Sequence, residues 1–146
     1  MRFFLLCLYM VTSWSLQHHM NVNRFVLTKF ADQVMKSLGN GHSEKVYHQA
    51  MITHLQRHNI PHRSEVICPY YYMDECVGFG QADLVVNNIV VEIKAKYNVP
   101  RNALQQLRKY SVALSRAECK KYEGLLVNFN QKSNMVNSMS LEAEDI

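Results

Sequence analysis

The chain has 146 residues, 48% of them hydrophobic and 19% charged, which excludes a chain too polar to form a core and favours a single globular domain. The net charge is +4 at pH 7; the last sixteen residues carry a net −2, so the rest of the chain carries about +6. This basic body is compatible with a polyanionic partner such as nucleic acid, and equally with an ordinary soluble surface.

The first twenty residues stand apart from the rest. Arg2 precedes the apolar run Phe3 to Val11, and small polar residues follow, in the order typical of a secretory signal peptide. The run is too short to span a bilayer as a helix. An extra N-terminal helix turn and a start of translation at Met20 are the alternatives. We expect an intracellular protein without a membrane span, while this segment leaves secretion open.

The spacing of apolar residues predicts seven elements between residues 21 and 130. They are helices over 21–38 and 43–58, strands over 64–72, 77–86 and 89–95, a helix over 100–115 and a strand over 122–129. This order predicts an α/β domain, with a mixed central β-sheet of about four strands flanked by helices. Residues 131–146 are polar and acidic, and we expect a flexible tail there.

The second and third strands form the most informative stretch. Asn87 and Asn88 separate two alternating apolar runs, which predicts a tight hairpin. A two-residue turn pairs Val86 with Ile89 and, further along, Asp83 with Glu92 and Gln81 with Lys94. Strict alternation then places Gln81, Asp83, Glu92 and Lys94 on one face, with Ala82, Leu84, Val91 and Ile93 on the other.

Asp83 and Glu92 are the first candidates for a metal site. Two carboxylates that face each other across a ladder repel, so a pair kept there indicates a cation between them. Oxygen ligands suit Mg²⁺, which retains water and takes substrate phosphate into its shell. Lys94 shares a face with Glu92 and would stabilise charge on a phosphate in the transition state. The alternative is an exposed Glu–Lys pair on a strand surface, which contributes little.

Two helical pairs share faces by their spacing. Glu44 and Tyr47 are three residues apart, and Gln106 and Tyr110 are four apart. Glu44 is equally compatible with a first-turn acid that interacts with the helix dipole. Gln106 and Tyr110 are equally compatible with a polar edge beside a core tyrosine.

These segments together resemble the GxxExxY group of the PD-(D/E)XK nuclease superfamily. The resemblance covers roughly residues 21–130 and includes GHSEKVY at 41–47, GFGQADLVV at 78–86, VVEIKA at 90–95, QLRKY at 106–110 and GLLVNF at 124–129. It implies a restriction-endonuclease-like core and a site that hydrolyses phosphodiester bonds with Mg²⁺ or Mn²⁺. Ala82 stands where the superfamily motif usually has proline.

The resemblance also implies roles for individual residues. Asp83, Glu92 and Glu44 would be the metal ligands, Lys94 the catalytic lysine, and Gln106 with Tyr110 the accessory pair. The function it implies is a nuclease, with DNA as the expected nucleic acid and a homodimer left open. The alternative is a non-catalytic module that binds nucleic acid through the same fold.

Several further patterns have more ordinary interpretations. Four basic residues close in sequence to the proposed site are candidate phosphate contacts: Lys96, Arg101, Arg108 and Lys109. The run 70–72 of three tyrosines would stack on bases or pack against a helix. Histidines 54, 58 and 62 suit a solvated basic helix face better than a metal site, because Pro61 breaks the helix. Buried thiols are favoured for Cys68 and Cys76; the alternative is a disulfide between them in a secreted protein.

Overall fold

The computed structural model describes residues 21–143, so the signal-like segment 1–20 lies outside the described residues. The elements in chain order are α1 (Arg24–Leu38), α2 (Glu44–Arg57), β1 (Arg63–Tyr72), β2 (Glu75–Val86), β3 (Ile89–Lys94), α3 (Ala103–Glu118), β4 (Glu123–Phe129) and β5 (Val136–Leu141). None of the helices within this part of the chain combines the length and the apolar character needed to cross a membrane.

The strands form one mixed sheet in the order β1-β2-β3-β4-β5. Neighbouring strands are antiparallel except β3 and β4, which are parallel and joined by α3 as the crossover helix. The helices α1 and α2 pack on one face, and α3 packs on the other. The predicted mixed sheet flanked by helices is confirmed, with five strands instead of about four.

The fifth strand lies inside the stretch expected to be a flexible tail. Val136–Leu141 pairs antiparallel with β4, from Phe129↔Val136 to Gly124↔Leu141. The prediction of a flexible tail is therefore wrong for this stretch. Its side chains are mostly polar and exposed because it is an edge strand, and backbone hydrogen bonds to β4 hold it.

The helix ends follow local chemistry. The side chain of Asn23 accepts a hydrogen bond from the N–H of Val26 at 3.1 Å and caps α1. Gly39 ends α1 with φ +72°, a conformation that favours glycine. The predicted end of the first helix at residue 38 is thus confirmed.

The hairpin between β2 and β3 has the predicted register over three pairs. Val86 pairs with Ile89, Val85 with Val90 and Leu84 with Val91, and Asn87 takes φ +56° in the turn. The ladder then stops, so the predicted pairs Asp83–Glu92 and Gln81–Lys94 do not form. Gln81 pairs instead with Ile67 of β1, because β2 leaves β3 at Asp83 and continues alongside β1.

The predicted division of this hairpin into two faces is wrong at Ala82. Leu84 packs in the apolar cluster beneath α1 and α2, whereas Ala82 packs in the cluster beneath α3. Alternation is broken between them, where Glu65 on the adjacent strand takes φ +52° and has no paired residue on β2. The break lies at Asp83 and changes the direction of β2 at the candidate site.

Candidate active site

Four of the predicted site residues meet where β2 and β3 separate. Lys94 lies at the centre: its Nζ is 2.6 Å from Oε1 of Glu92 and 3.9 Å from Oε1 of Glu44. Asp83 reaches the same end of β3 from β2, and Glu44 reaches it from the first turn of α2. The structure thus brings together three acids and one lysine that are up to 50 residues apart in the chain.

The carboxylates of Asp83 and Glu44 replace the missing strand partner of β3. Asp83 Oδ2 accepts a hydrogen bond from the N–H of Ile93 at 2.6 Å, and Glu44 Oε2 accepts one from the N–H of Ala95 at 3.3 Å. These two N–H groups are two residues apart and therefore point to the same edge of β3. Both carboxylates are held against the backbone because β2 no longer supplies carbonyl acceptors there.

Glu92 is the most unusual acid of the group. It is only 2% exposed, and its Oε2 has no hydrogen-bond partner among the residues that the structure describes. Burial and the nearby charge of Asp83 raise the pKa of Glu92 to about 7, although Lys94 opposes the shift. A buried carboxylate with an unpaired oxygen is costly when ionised, so this position favours a bound proton or a cation.

The pKa values of Asp83 and Lys94 are also shifted by burial and by neighbouring charges. Burial raises the pKa of Asp83 above its ordinary value, although the hydrogen bond from Ile93 and the charge of Lys94 oppose the shift. Burial alone would lower the pKa of Lys94. The hydrogen bond and charge of Glu92, with the charges of Glu44 and Asp83, outweigh that effect and raise it. Lys94 therefore remains an ammonium ion at neutral pH.

Gln106 and Tyr110 form a hydrogen-bonded pair on α3. The side-chain amide of Gln106 donates to the hydroxyl of Tyr110 at 2.7 Å, and Tyr110 is buried against the sheet. Its ring lies against Gly80, where any Cβ would collide with Tyr110 and with the hydroxyl of Tyr70. Within residues 21–143, no hydrogen bond joins Gln106 or Tyr110 to the carboxylates.

Tyr47 shares its helix with Glu44 but belongs to the core. It is fully buried, and its ring stacks on Phe129 with 4.3 Å between centroids. Its hydroxyl donates to the carbonyl oxygen of Gly39 at 2.8 Å. Tyr47 therefore joins the start of α2 to the end of α1, which helps to position Glu44.

Two residues that sequence reasoning did not select also support the site. His48, one turn after Glu44, places Nε2 3.0 Å from the carbonyl oxygen of Asp83. Asn128 is buried on β4 and bonds both backbone groups of Lys96, accepting from its N–H at 3.0 Å and donating to its carbonyl at 3.1 Å. The four-residue spacing from Glu44 was a signal for His48, whereas Asn128 depends on the parallel pairing of β3 with β4.

A cleft of about 510 Å³ between α2 and β1 opens on Glu44 and Asp83. Its lining includes Glu44, His48, Glu65 and Asp83. The candidate phosphate contacts do not line it: Lys96 and Arg101 are exposed after β3, and Arg108 and Lys109 are exposed on α3, where they border β1. The structure thus separates an acidic cleft from a basic surface.

The structure also places the histidines, the tyrosine run and the cysteines noted in the sequence. His54 and His58 stack on each other and on Phe30, so they pack against α1 and are not purely solvated. Tyr70 packs partly beneath α3, while Tyr71 and Tyr72 are exposed. Cys68 is buried and Cys76 is exposed; both thiols are free, so the alternative of a disulfide between them is wrong.

The residues fit a hard divalent cation in part. The unpaired Oε2 of Glu92 beside Asp83 offers the oxygen chemistry that Mg²⁺ requires, and one or two protein carboxylates suffice when water and substrate complete the shell. No three His, Cys, Asp or Glu side chains within residues 21–143 form a ready-made metal cluster. Asp83 and Glu44 bind backbone N–H groups, and Glu92 binds Lys94.

A family model described as the PD-(D/E)XK nuclease superfamily matches residues 22–139. The chain belongs to the PD-(D/E)XK nuclease superfamily. The match begins just before α1 and extends into β5, so it covers all three helices, the split hairpin and the acidic cleft. No curated protein and no solved structure gives a significant match.

Membership in the PD-(D/E)XK nuclease superfamily agrees with the fold and indicates a nuclease. Nucleic acid is the corresponding substrate, and nucleases of this superfamily generally use divalent metals. The resemblance stated from the sequence is confirmed at the level of the superfamily.

Proposed function

We propose that the protein is a divalent-metal-dependent nuclease of the GxxExxY group that hydrolyses phosphodiester bonds, with DNA as the substrate and Mg²⁺ or Mn²⁺ as the cofactor. The observation that carries the proposal is the buried Glu92 with its unpaired Oε2, placed beside Asp83 and Lys94 where β2 and β3 separate. Such an acidic, desolvated cluster is costly for folding alone, and a cation would relieve the repulsion.

Asp83 and Glu92 are the proposed direct ligands, and Glu44 is the third acid of the shell. When bound, the ion would polarise the phosphate and supply a water molecule activated for attack. With a pKa of about 7, Glu92 would be available as an ionised ligand from neutral pH upward. Asp83 and Glu44 are held in place by the N–H groups of Ile93 and Ala95.

Lys94 supplies the positive charge. Its ammonium is confined between Glu92 and Glu44 and remains protonated, so it is positioned to offset negative charge that develops on the phosphate. Gln106 and Tyr110 support β2 at Gly80, two residues before Ala82, and we assign them a positioning role. Lys96, Arg101, Arg108 and Lys109 are the proposed phosphate contacts.

Cleavage of plasmid and single-stranded DNA in Mg²⁺, Mn²⁺ or EDTA tests this function. We expect cleavage that requires the metal and is lost in Asp83→Asn and Lys94→Ala. Asp32→Asn, which neutralises an exposed acid on α1 outside the cleft, is the matched control and should cleave normally. Wild-type protein that cleaves neither DNA with either metal, or Asp83→Asn that cleaves as well as wild type, would refute the proposal. Salt-sensitive DNA binding that changes neither with metal nor with the Glu92→Gln substitution would support the non-catalytic alternative.

A further inference from the structure

A groove of about 560 Å³ runs between α3 and β1, apart from the acidic cleft. Three cations line it: Arg108, Lys109 and Arg116. Among the described residues, no acidic side chain lines the groove itself. Asp74, in the turn between β1 and β2, pairs with Arg116 at 3.4 Å. Asp74 is almost fully exposed, so this pair is weak.

The groove also offers flat apolar surface. Tyr70 and Tyr71 line one wall, and Val112 lines the other. Tyr71 is 39% exposed, and the guanidinium of Arg116 lies over its ring at 5.7 Å from the centroid. A cationic channel with accessible aromatic faces is the combination that binds single strands, because every unpaired base has a face that can stack.

The acidic lining of the cleft favours a separate surface for the rest of the bound strand. Glu44, Glu65 and Asp83 line that cleft with Lys45 and repel the phosphates of a polyanion. Cations outside the cleft would therefore supply the electrostatic attraction for the rest of the strand. The cleft and the groove border the edge strand β1 from opposite faces of the sheet. Tyr70 lines the groove, and its hydroxyl lies against Gly80 on β2, three residues before Asp83 of the cleft.

We propose that the groove between α3 and β1 binds an unpaired nucleic-acid strand that extends from the acidic cleft, with phosphates at Arg108 and Lys109 and a base stacked on Tyr71. A duplex offers no free base faces to Tyr71, so the groove selects single-stranded over paired nucleic acid. This inference rests on the proposed nuclease function and adds a preference for the form of the substrate.

Fluorescence anisotropy with a labelled oligo-dT strand and a blunt duplex of equal length tests the groove in EDTA, where cleavage does not interfere. We expect wild-type protein to bind the single strand more tightly. Arg108→Ala/Lys109→Ala should weaken binding and reduce the slope of log Kd against log salt by about 1.4, or ~0.7 for each phosphate contact on a single strand. Tyr71→Ala should weaken binding about tenfold without changing that slope.

Lys29→Ala/Lys36→Ala is the matched control, because it removes two exposed cations from α1 on the opposite face of the sheet. It should bind like wild type. The proposal is overturned if the control loses as much affinity as the groove variant, if both groove variants bind normally, or if the duplex binds as tightly as the single strand.

The cleavage assay separates the two proposals. If wild type cleaves and the groove variants bind the single strand normally, the proposed role of the groove is refuted and the nuclease function stands. Groove-dependent binding by a protein that never cleaves would refute the nuclease function alone. Thermal unfolding of each variant confirms that these surface substitutions leave the fold intact.

Discussion

Replacing Glu92 with glutamine should stabilise the metal-free protein at alkaline pH. Glu92 is buried, and burial with the charge of Asp83 raises its pKa from 4.5 to about 7. The folded state therefore holds this proton more tightly than the unfolded chain does. The free energy of unfolding of wild type falls as the pH rises from 4.5 to 7, and the loss is complete above 7.

The size of the effect follows from the pKa. A rise from 4.5 to about 7 corresponds to about 3 kcal/mol, of which about 2 kcal/mol lies between pH 5 and pH 8. Glutamine resembles the protonated acid in shape and stays neutral. Glu92→Gln should thus gain about 2 kcal/mol over wild type on going from pH 5 to pH 8, because only wild type pays for ionising this side chain.

Urea unfolding followed by circular dichroism at pH 5 and pH 8, in EDTA, measures this difference. Asp32→Asn is the control: it retains Glu92 and should lose as much stability as wild type between pH 5 and pH 8. The prediction is contradicted if the difference in the free energy of unfolding between Glu92→Gln and wild type is the same at pH 8 as at pH 5. Added Mg²⁺ should stabilise wild type and leave Glu92→Gln nearly unchanged, because the ion binds only a site that retains its acids.

Three further predictions concern the surroundings of the site. Gly80→Ala should lower the free energy of unfolding by about 1–3 kcal/mol in chemical denaturation, because the added Cβ collides with Tyr110 and Tyr70. Gly78→Ala is the control, because its Cβ makes only an ordinary contact. Tyr47→Phe should lower the free energy of unfolding by about 1 kcal/mol, because it loses the hydrogen bond to Gly39, and should still cleave. Glu44→Gln should reduce cleavage. Equal loss of cleavage in both variants would contradict the assignment of Tyr47 to the core. Asn128→Ala should cost about 1–3 kcal/mol because it removes the acceptor for the N–H of Lys96 and one of the two donors to its carbonyl oxygen. Unchanged stability in urea would show that these bonds contribute nothing.

The hairpin shows how far local pattern predicts this fold. The length of the Asn87–Asn88 turn and the alternating valines set the register from Val86↔Ile89 to Leu84↔Val91, and all three pairs are observed. The pattern did not predict where pairing stops. The pairing of β2 with β3 ends where the carboxylate of Asp83 accepts a hydrogen bond from the N–H of Ile93. The alternation of β2 breaks at the same place, beside Glu65 on β1. Both features depend on contacts between strands that form only on folding.

Two other features lay beyond the sequence for related reasons. The edge strand Val136–Leu141 has too few apolar residues to stand out, and its pairing with β4 depends on backbone hydrogen bonds. A spacing of three placed Glu44 and Tyr47 on one helix face but did not indicate which of them turns to the core. Glu44 reaches Lys94 and Ala95, while Tyr47 packs on Phe129.

Titration of Mn²⁺ into wild type and Asp83→Asn at pH 8, followed by electron paramagnetic resonance, tests the central claim most directly. We expect one bound ion per wild-type chain, loss of that ion in Asp83→Asn and in Glu92→Gln, and normal binding by Asp32→Asn. Equal binding by wild type and Asp83→Asn, or no binding by wild type in the presence of an oligonucleotide, would contradict a metal site at the point where β2 and β3 separate.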